Sequence, residues 1–120
     1  MSVRLTIELT QDSFPPGAPV HGYLTVDGGS GIRRLKVWLA FVEWSNDYAG
    51  TARTESERTL ADGPVPDGQR IPFELILPAD AAPEVRSNHG GLAWEVLVKA
   101  DVRGPDALEG ARISVAPSRS

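Results

Sequence analysis

The side chains best suited to chemistry in this 120-residue chain are His21, His89, Ser87 and the acids Glu43, Asp47, Glu55 and Glu57. A catalytic triad or a metal centre needs several such groups converging on one point. His21 falls on the solvent side of an alternating segment, and His89 lies in Ser87-Asn88-His89-Gly90-Gly91, which reads as a turn. No glycine elbow surrounds Ser87, so the serine is not set up as a nucleophile. Glu43 and Asp47, with Glu55 and Glu57 further on, could supply the carboxylate pair of a glycoside hydrolase. That chemistry requires a cleft and one carboxyl with a raised pKa. Acids on a polar loop and strand edge are more simply solvated, and a hydrolase is the third reading. Asp27-Gly28-Gly29-Ser30-Gly31 lacks the later acidic ligands of a calcium loop, and no Gly-Lys-Ser/Thr follows it for a phosphate loop. It reads as a hairpin turn. The basic knot Arg33, Arg34 and Lys36 reads as a solvated strand edge. No catalytic residue, metal or cofactor is expected.

The aromatic residues carry more. If the segments around residues 20–27 and 32–45 form a hairpin through the glycine loop, His21 and Tyr23 fall opposite or diagonal to Trp38 on the outward face. Val42 and Trp44 then lie further along it. Cross-strand neighbours stand roughly 5–7 Å apart, so His21, Tyr23, Trp38, Val42 and Trp44 would form one patch. Trp and Tyr are favoured anchors of protein interfaces, which makes the patch a candidate for binding another protein. A carbohydrate or small-ligand platform on the same rings is the alternative. The opposing reading has Trp38 and Trp44 covered by the polar segment 46–58 or by a second copy of the chain. Trp94 is assigned to the core, because it shares its parity with Leu92, Val96, Val98 and Ala100.

The elements that would position these residues are organised around residues 71–102. Ile71, Phe73, Leu75 and Leu77 share one parity, and Leu92 to Val102 share another, with Glu74, Glu95, Lys99 and Asp101 on the opposite sides. Each run offers one apolar and one wet face, as a layer of a β-sandwich does. The connection from Pro78 to Gly91 carries Pro78 and Pro83 and is expected to cross between sheets in extended form. Upstream, Val3, Leu5, Ile7 and Leu9 make a half-buried strand, and Phe14-Pro15-Pro16-Gly17 a turn. Val20, Leu24 and Val26 point inward, with Gly22 at an inward position that suggests a bulge or a close approach from the facing sheet. The run from Ile32 to Ser45 is apolar on both parities, so it is central or bulged. Asn46 to Arg58 reads as a loop followed by a weak edge strand ending near Leu60, and Ala111, Ile113 and Val115 as the last strand. The expectation is all-β: a two-sheet antiparallel immunoglobulin-like sandwich of seven to eight strands, one domain over 1–116, and a frayed tail at 117–120.

Twelve basic and sixteen acidic residues give a net charge of −4, which argues against nucleic acid or anionic membranes as partners. There are no cysteines, so disulfides and thiolate metal sites are excluded. No stretch approaches the roughly 20 apolar residues of a membrane span. Met1-Ser2-Val3-Arg4-Leu5 opens a strand with no signal-like run, and a cytoplasmic protein is expected.

Four segments, in order, resemble arrestin-like domains. These are Phe14-Pro-Pro-Gly-Ala-Pro-Val-His-Gly-Tyr-Leu, the long strand Ile32 to Glu43, Phe73-Glu-Leu-Ile-Leu-Pro, and Leu92-Ala-Trp-Glu-Val-Leu-Val-Lys-Ala-Asp. Together they cover most of residues 1–116. That family includes arrestins, the retromer subunit of arrestin fold and bacterial sporulation-control proteins. The resemblance implies an immunoglobulin-like sandwich used for protein–protein contact, without catalytic residues. A homodimer through a strand edge or the aromatic patch fits the same picture. The chain departs from the pattern in offering one domain where relatives usually pair two. It also shows no clear counterpart of the buried charged cluster that arrestins use as a switch, so receptor or phosphate sensing is not implied.

Overall fold

A computed structural model describes residues 2–116; the tail expected at 117–120 lies outside the described residues. Nine strands follow one another: β1 (Arg4–Leu9), β2 (Ser13–Phe14), β3 (Pro19–Asp27), β4 (Arg34–Ser45), β5 (Ala49–Ala61), β6 (Gln69–Ile76), β7 (Val85–Ser87), β8 (Gly90–Asp101) and β9 (Ala107–Val115). They form two sheets. The small one has the order β1-β3-β6, and the large one β2-β9-β8-β4-β5, with β7 pairing the start of β8. Two of the nine, β2 and β7, are three residues or shorter and account for the excess over seven or eight.

The alternation read from the sequence is the alternation of burial. Val20, Leu24 and Val26 of β3, Phe73 and Leu75 of β6, Leu35, Val37 and Leu39 of β4, and Val96, Val98 and Ala100 of β8 join one apolar cluster between the sheets. Trp94 belongs to it at 2% exposure, and Phe41 lies 5.0 Å from its ring centroid. Phe14, read as part of a turn, is also a core residue, held by β2 pairing in parallel with the end of β9. Gly22 is a close approach and not a bulge, but the approach comes from neighbouring strands of its own sheet and not from the facing one. It pairs in register with Leu9 and Phe73, and a Cβ there would stand 2.6 Å from Phe73 Cζ.

The crossover from β6 to β8 does pass from the small sheet to the large one, as the prolines suggested. Two expectations are corrected. The segments β3 and β4 are not a hairpin. The glycine loop between them, with one 3-10 turn at Gly29–Gly31, carries the chain across the end of the sandwich into the other sheet. Neither β3 nor β4 is left short of partners: β3 pairs with β1 and β6, β4 with β5 and β8. Residues 46–58 hold far less loop than expected: the edge strand is present and ends at Ala61, but it begins as early as Ala49. Most of them belong to β5, whose thirteen residues pair along β4, so main-chain hydrogen bonding extends a polar strand that no hydrophobic period marks.

Candidate partner-binding face

β4 and β8 run together in unbroken register from Arg34 opposite Asp101 to Ser45 opposite Gly90. With Leu35, Val37 and Leu39 turned to the core, the other parity of β4 presents Lys36, Trp38, Ala40, Val42 and Trp44 on the outer face of the large sheet. The cross-strand partners there on β8 are Lys99, Leu97, Glu95, Ala93 and Gly91. Next come Leu108, Gly110 and Arg112 on β9, opposite Lys99, Leu97 and Glu95. The strand apolar on both parities, β4, is thus central in its sheet, between β8 and β5, with one face in the core and the other on the outside. The irregularities of register fall between β4 and β5 and are absent between β4 and β8.

The large side chains of this face lie down on small ones. A Cβ on Gly91 would stand 2.7 Å from Trp44 Cζ2, and one on Gly110 2.8 Å from Leu97 Cδ2, so the indole and the leucine cover glycines across the strand gap. Ala40 and Ala93 point outward yet are 0% exposed, closed over by their neighbours. The result is a flat apolar surface of Trp38, Leu97, Val42 and Trp44, with Leu108, 68% exposed, at its margin. Its cations are paired within it: Lys36 Nζ to Glu57 at 2.8 Å, Lys99 Nζ to Asp106 at 3.3 Å, and Arg112 to Glu95 at 3.9 Å. Val102 N–H donates to Asp106, and with Lys99 this holds the Asp106 carboxyl below the usual carboxylate range.

The five residues expected to form one patch are divided between two surfaces. Trp38, Val42 and Trp44 share the face just described. His21 and Tyr23 point outward from the small sheet, on the opposite side of the sandwich. There His21 Nδ1 lies 3.9 Å from Glu74, and the Arg70 guanidinium stacks 3.8 Å from the centre of the Tyr23 ring while bonding Glu8. Sheets pack about 10 Å apart, so outward side chains of the two sheets cannot meet. Nor does residues 46–58 cover the tryptophans, since β5 lies beside β4 in the plane of the sheet. Leu97 and Leu108 were missed as members of the face; the parity of Leu97, opposite to Trp94, was the available signal.

The other candidates do not converge. His89 and Ser87 form a turn in which Ser87 Oγ accepts from the His89 N–H and donates to the Gly90 carbonyl. Glu57 pairs with Lys36, whereas Glu55 accepts from Arg53 at 2.7 Å. Arg53 also reaches Asp80 at 3.1 Å and sits 5.8 Å from the Trp94 ring, so this charged clasp joins β5 to the loop after β6. Its hydrogen bond to Glu55, then Asp80, raises the Arg53 pKa further. Among the described residues no three metal-ligating side chains gather, and no helix is long and apolar enough to cross a membrane.

Sheet order and outer faces define the class: the chain has an arrestin-like β-sandwich fold. The particular likeness is to the crystal structure of Spo0M, a sporulation control protein from Bacillus subtilis. The TM-score is 0.76 at 22% identity, over 98% of this chain and 51% of that one, so the chain spans about half the length of that protein. No family model matches the chain, and no curated protein matches it.

Proposed function

We propose that the chain is a non-enzymatic protein-contact module of regulatory type, working in the cytoplasm through the outer face of its large sheet. The observation that carries this reading is the flat, locally neutral apolar surface centred on Trp38 and Leu97. Aromatic side chains filling a desolvated centre inside a ring of paired charges are the anatomy of a protein interface. The likeness to a sporulation control protein supports a regulatory setting. A carbohydrate platform is less well supported. Sugar stacking needs an open ring face, and Trp44 already has Gly91 beneath it and the Arg112 guanidinium 4.4 Å from its ring centroid. Tyr23 is likewise occupied by Arg70.

The test is capture from host-cell lysate on immobilised protein, with Trp38→Glu and Leu108→Glu against wild type. Both substitutions should abolish capture while leaving the circular dichroism spectrum unchanged, and Glu43→Gln should have no effect. Capture indifferent to both face substitutions would sink the proposal. A fluorescence change on adding oligosaccharide that Trp38→Ala removes would favour the carbohydrate reading.

A further inference from the structure

We infer that the occupant of this face is a second copy of the same chain, packed sheet on sheet about a two-fold axis. This rests on the reading of the face as a protein-contact surface and names its partner.

Three observations favour a second copy. The first is charge. A chain of net charge −4 repels itself at long range. On this face, however, Lys36, Lys99 and Arg112 are matched by Glu57, Asp106 and Glu95, so two such faces meet with no excess of either sign. The surface asks for a partner that is also flat, apolar and uncharged, and its own image meets that description.

The second is shape. With Ala40, Ala93, Gly91 and Gly110 covered, the middle of the surface is level; Leu108 stands out at one margin, and a shallow hollow lined by Lys36, Lys99 and Asp106 lies at one end. Flat sheet faces stack on one another at a small angle, roughly 30°, set by their twist. An isologous contact sets the same patch on both sides of the axis, and the neighbouring Trp38 and Leu97 side chains would lie at its centre.

The third is area. Four strands, β9, β8, β4 and β5, give a face roughly 20 Å wide, and the length from Lys36 to Trp44 is roughly 30 Å at ordinary strand spacing and rise. The resulting face of about 600 Å², before its side-chain relief is counted, approaches the ~800 Å² per partner of a standard interface.

The strand edge is the poorer route to a dimer. β5 is the free edge beyond β4, and its pairing is broken by three irregularities of register. It carries Arg53, Glu55, Glu57 and Arg58, and Ser56 sits at φ 58 with its hydroxyl tied to the Ile76 N–H. Bulges and charges of this kind blunt an edge against strand addition.

The experiment is light scattering behind size exclusion, with sedimentation velocity over a dilution series, on wild type, Trp38→Glu, Leu108→Glu and Thr25→Glu. Leu108 is so exposed that its substitution leaves the core intact, and Thr25 lies on the outer face of the other sheet. Wild type and Thr25→Glu should move together from monomer to dimer mass with concentration. Both face variants should dissociate at least tenfold more readily, and the wild-type dimer should tighten, not loosen, as added salt screens the repulsion between two chains of net charge −4. A wild type monomeric at every concentration overturns the inference, and so does a dimer that survives both face substitutions. If the monomer still captures a lysate protein in a Trp38-dependent way, the dimer fails and the protein-contact reading stands. If capture is also indifferent to Trp38, both fail.

Discussion

Phe73 lies over Gly22 closely enough that the smallest side chain has no room. A Cβ at position 22 meets both the phenyl ring and the Glu8 carbonyl oxygen, at 2.6 and 2.7 Å. Gly22→Ala should therefore cost about 1–3 kcal/mol in urea denaturation, the usual range for overpacking. Adding Phe73→Leu should recover only part of it, because the second obstacle is backbone. Full recovery would show that the ring alone sets the limit. Asp106 provides a pH signature. Its carboxyl is held low by the Val102 N–H and then by Lys99, so the stability it supplies is present above its unfolded pKa, near pH 4, and fades as pH falls through the lower folded value. Asp106→Asn should be less stable than wild type at neutral pH, and the two denaturation curves should draw together below roughly pH 4. Curves separated equally at all pH values would remove the carboxylate from the account. At this scale parity was a sound guide. It assigned Trp94 inward and Trp38 outward, and it marked Gly22 as a tight spot. It could not find the Arg53–Glu55–Asp80 clasp, because Asp80 is brought to the strand by a loop whose path no local period encodes.

Strands were legible as strands; their neighbours were not. Alternation tells which way a side chain points relative to its own strand and is silent on which strand lies alongside. The loop Gly28–Gly31 has the composition of a hairpin turn, yet it joins two sheets. That is why the expected patch of His21, Tyr23, Trp38, Val42 and Trp44 divides into two surfaces. β5 was legible as a weak edge strand ending near Leu60, but its length escaped for a different reason. It is an edge strand, threonine-rich and charged, and its order comes from pairing with β4 and not from burying an apolar stripe. Protection from hydrogen exchange should follow this hierarchy. Amides of β4, β8 and β3, flanked on both sides, should exchange slowest. Those of β7 and of β5 near Ala49–Thr51 should exchange first. Mass spectrometry of peptic fragments would show it, and rapid exchange throughout β8 would contradict the pairing described.

Across the whole molecule the apolar cluster draws on both sheets, so neither layer has a dry interior of its own. Unfolding should be a single cooperative event. Tryptophan fluorescence, which reads Trp94 inside and Trp38 and Trp44 outside, should give the same urea midpoint as far-ultraviolet circular dichroism. Separate midpoints would mean that the layers come apart independently and that residues 1–116 are not one unit. The resemblance to arrestin-like domains was visible in four segments because each strand must repeat the same inward pattern. The working face was visible only in part, since its flatness arises from glycines and alanines overlaid by residues from neighbouring strands.

The parallel pairing of Ser13–Phe14 with Ser114–Val115 closes the described sandwich across nearly its whole length of chain. During synthesis the early segment must wait, with Phe14 uncovered, until the far end has left the ribosome. Closure of that seam is therefore among the last steps in folding this sandwich, and a nascent chain stalled before residue 113 would present this phenylalanine to chaperones.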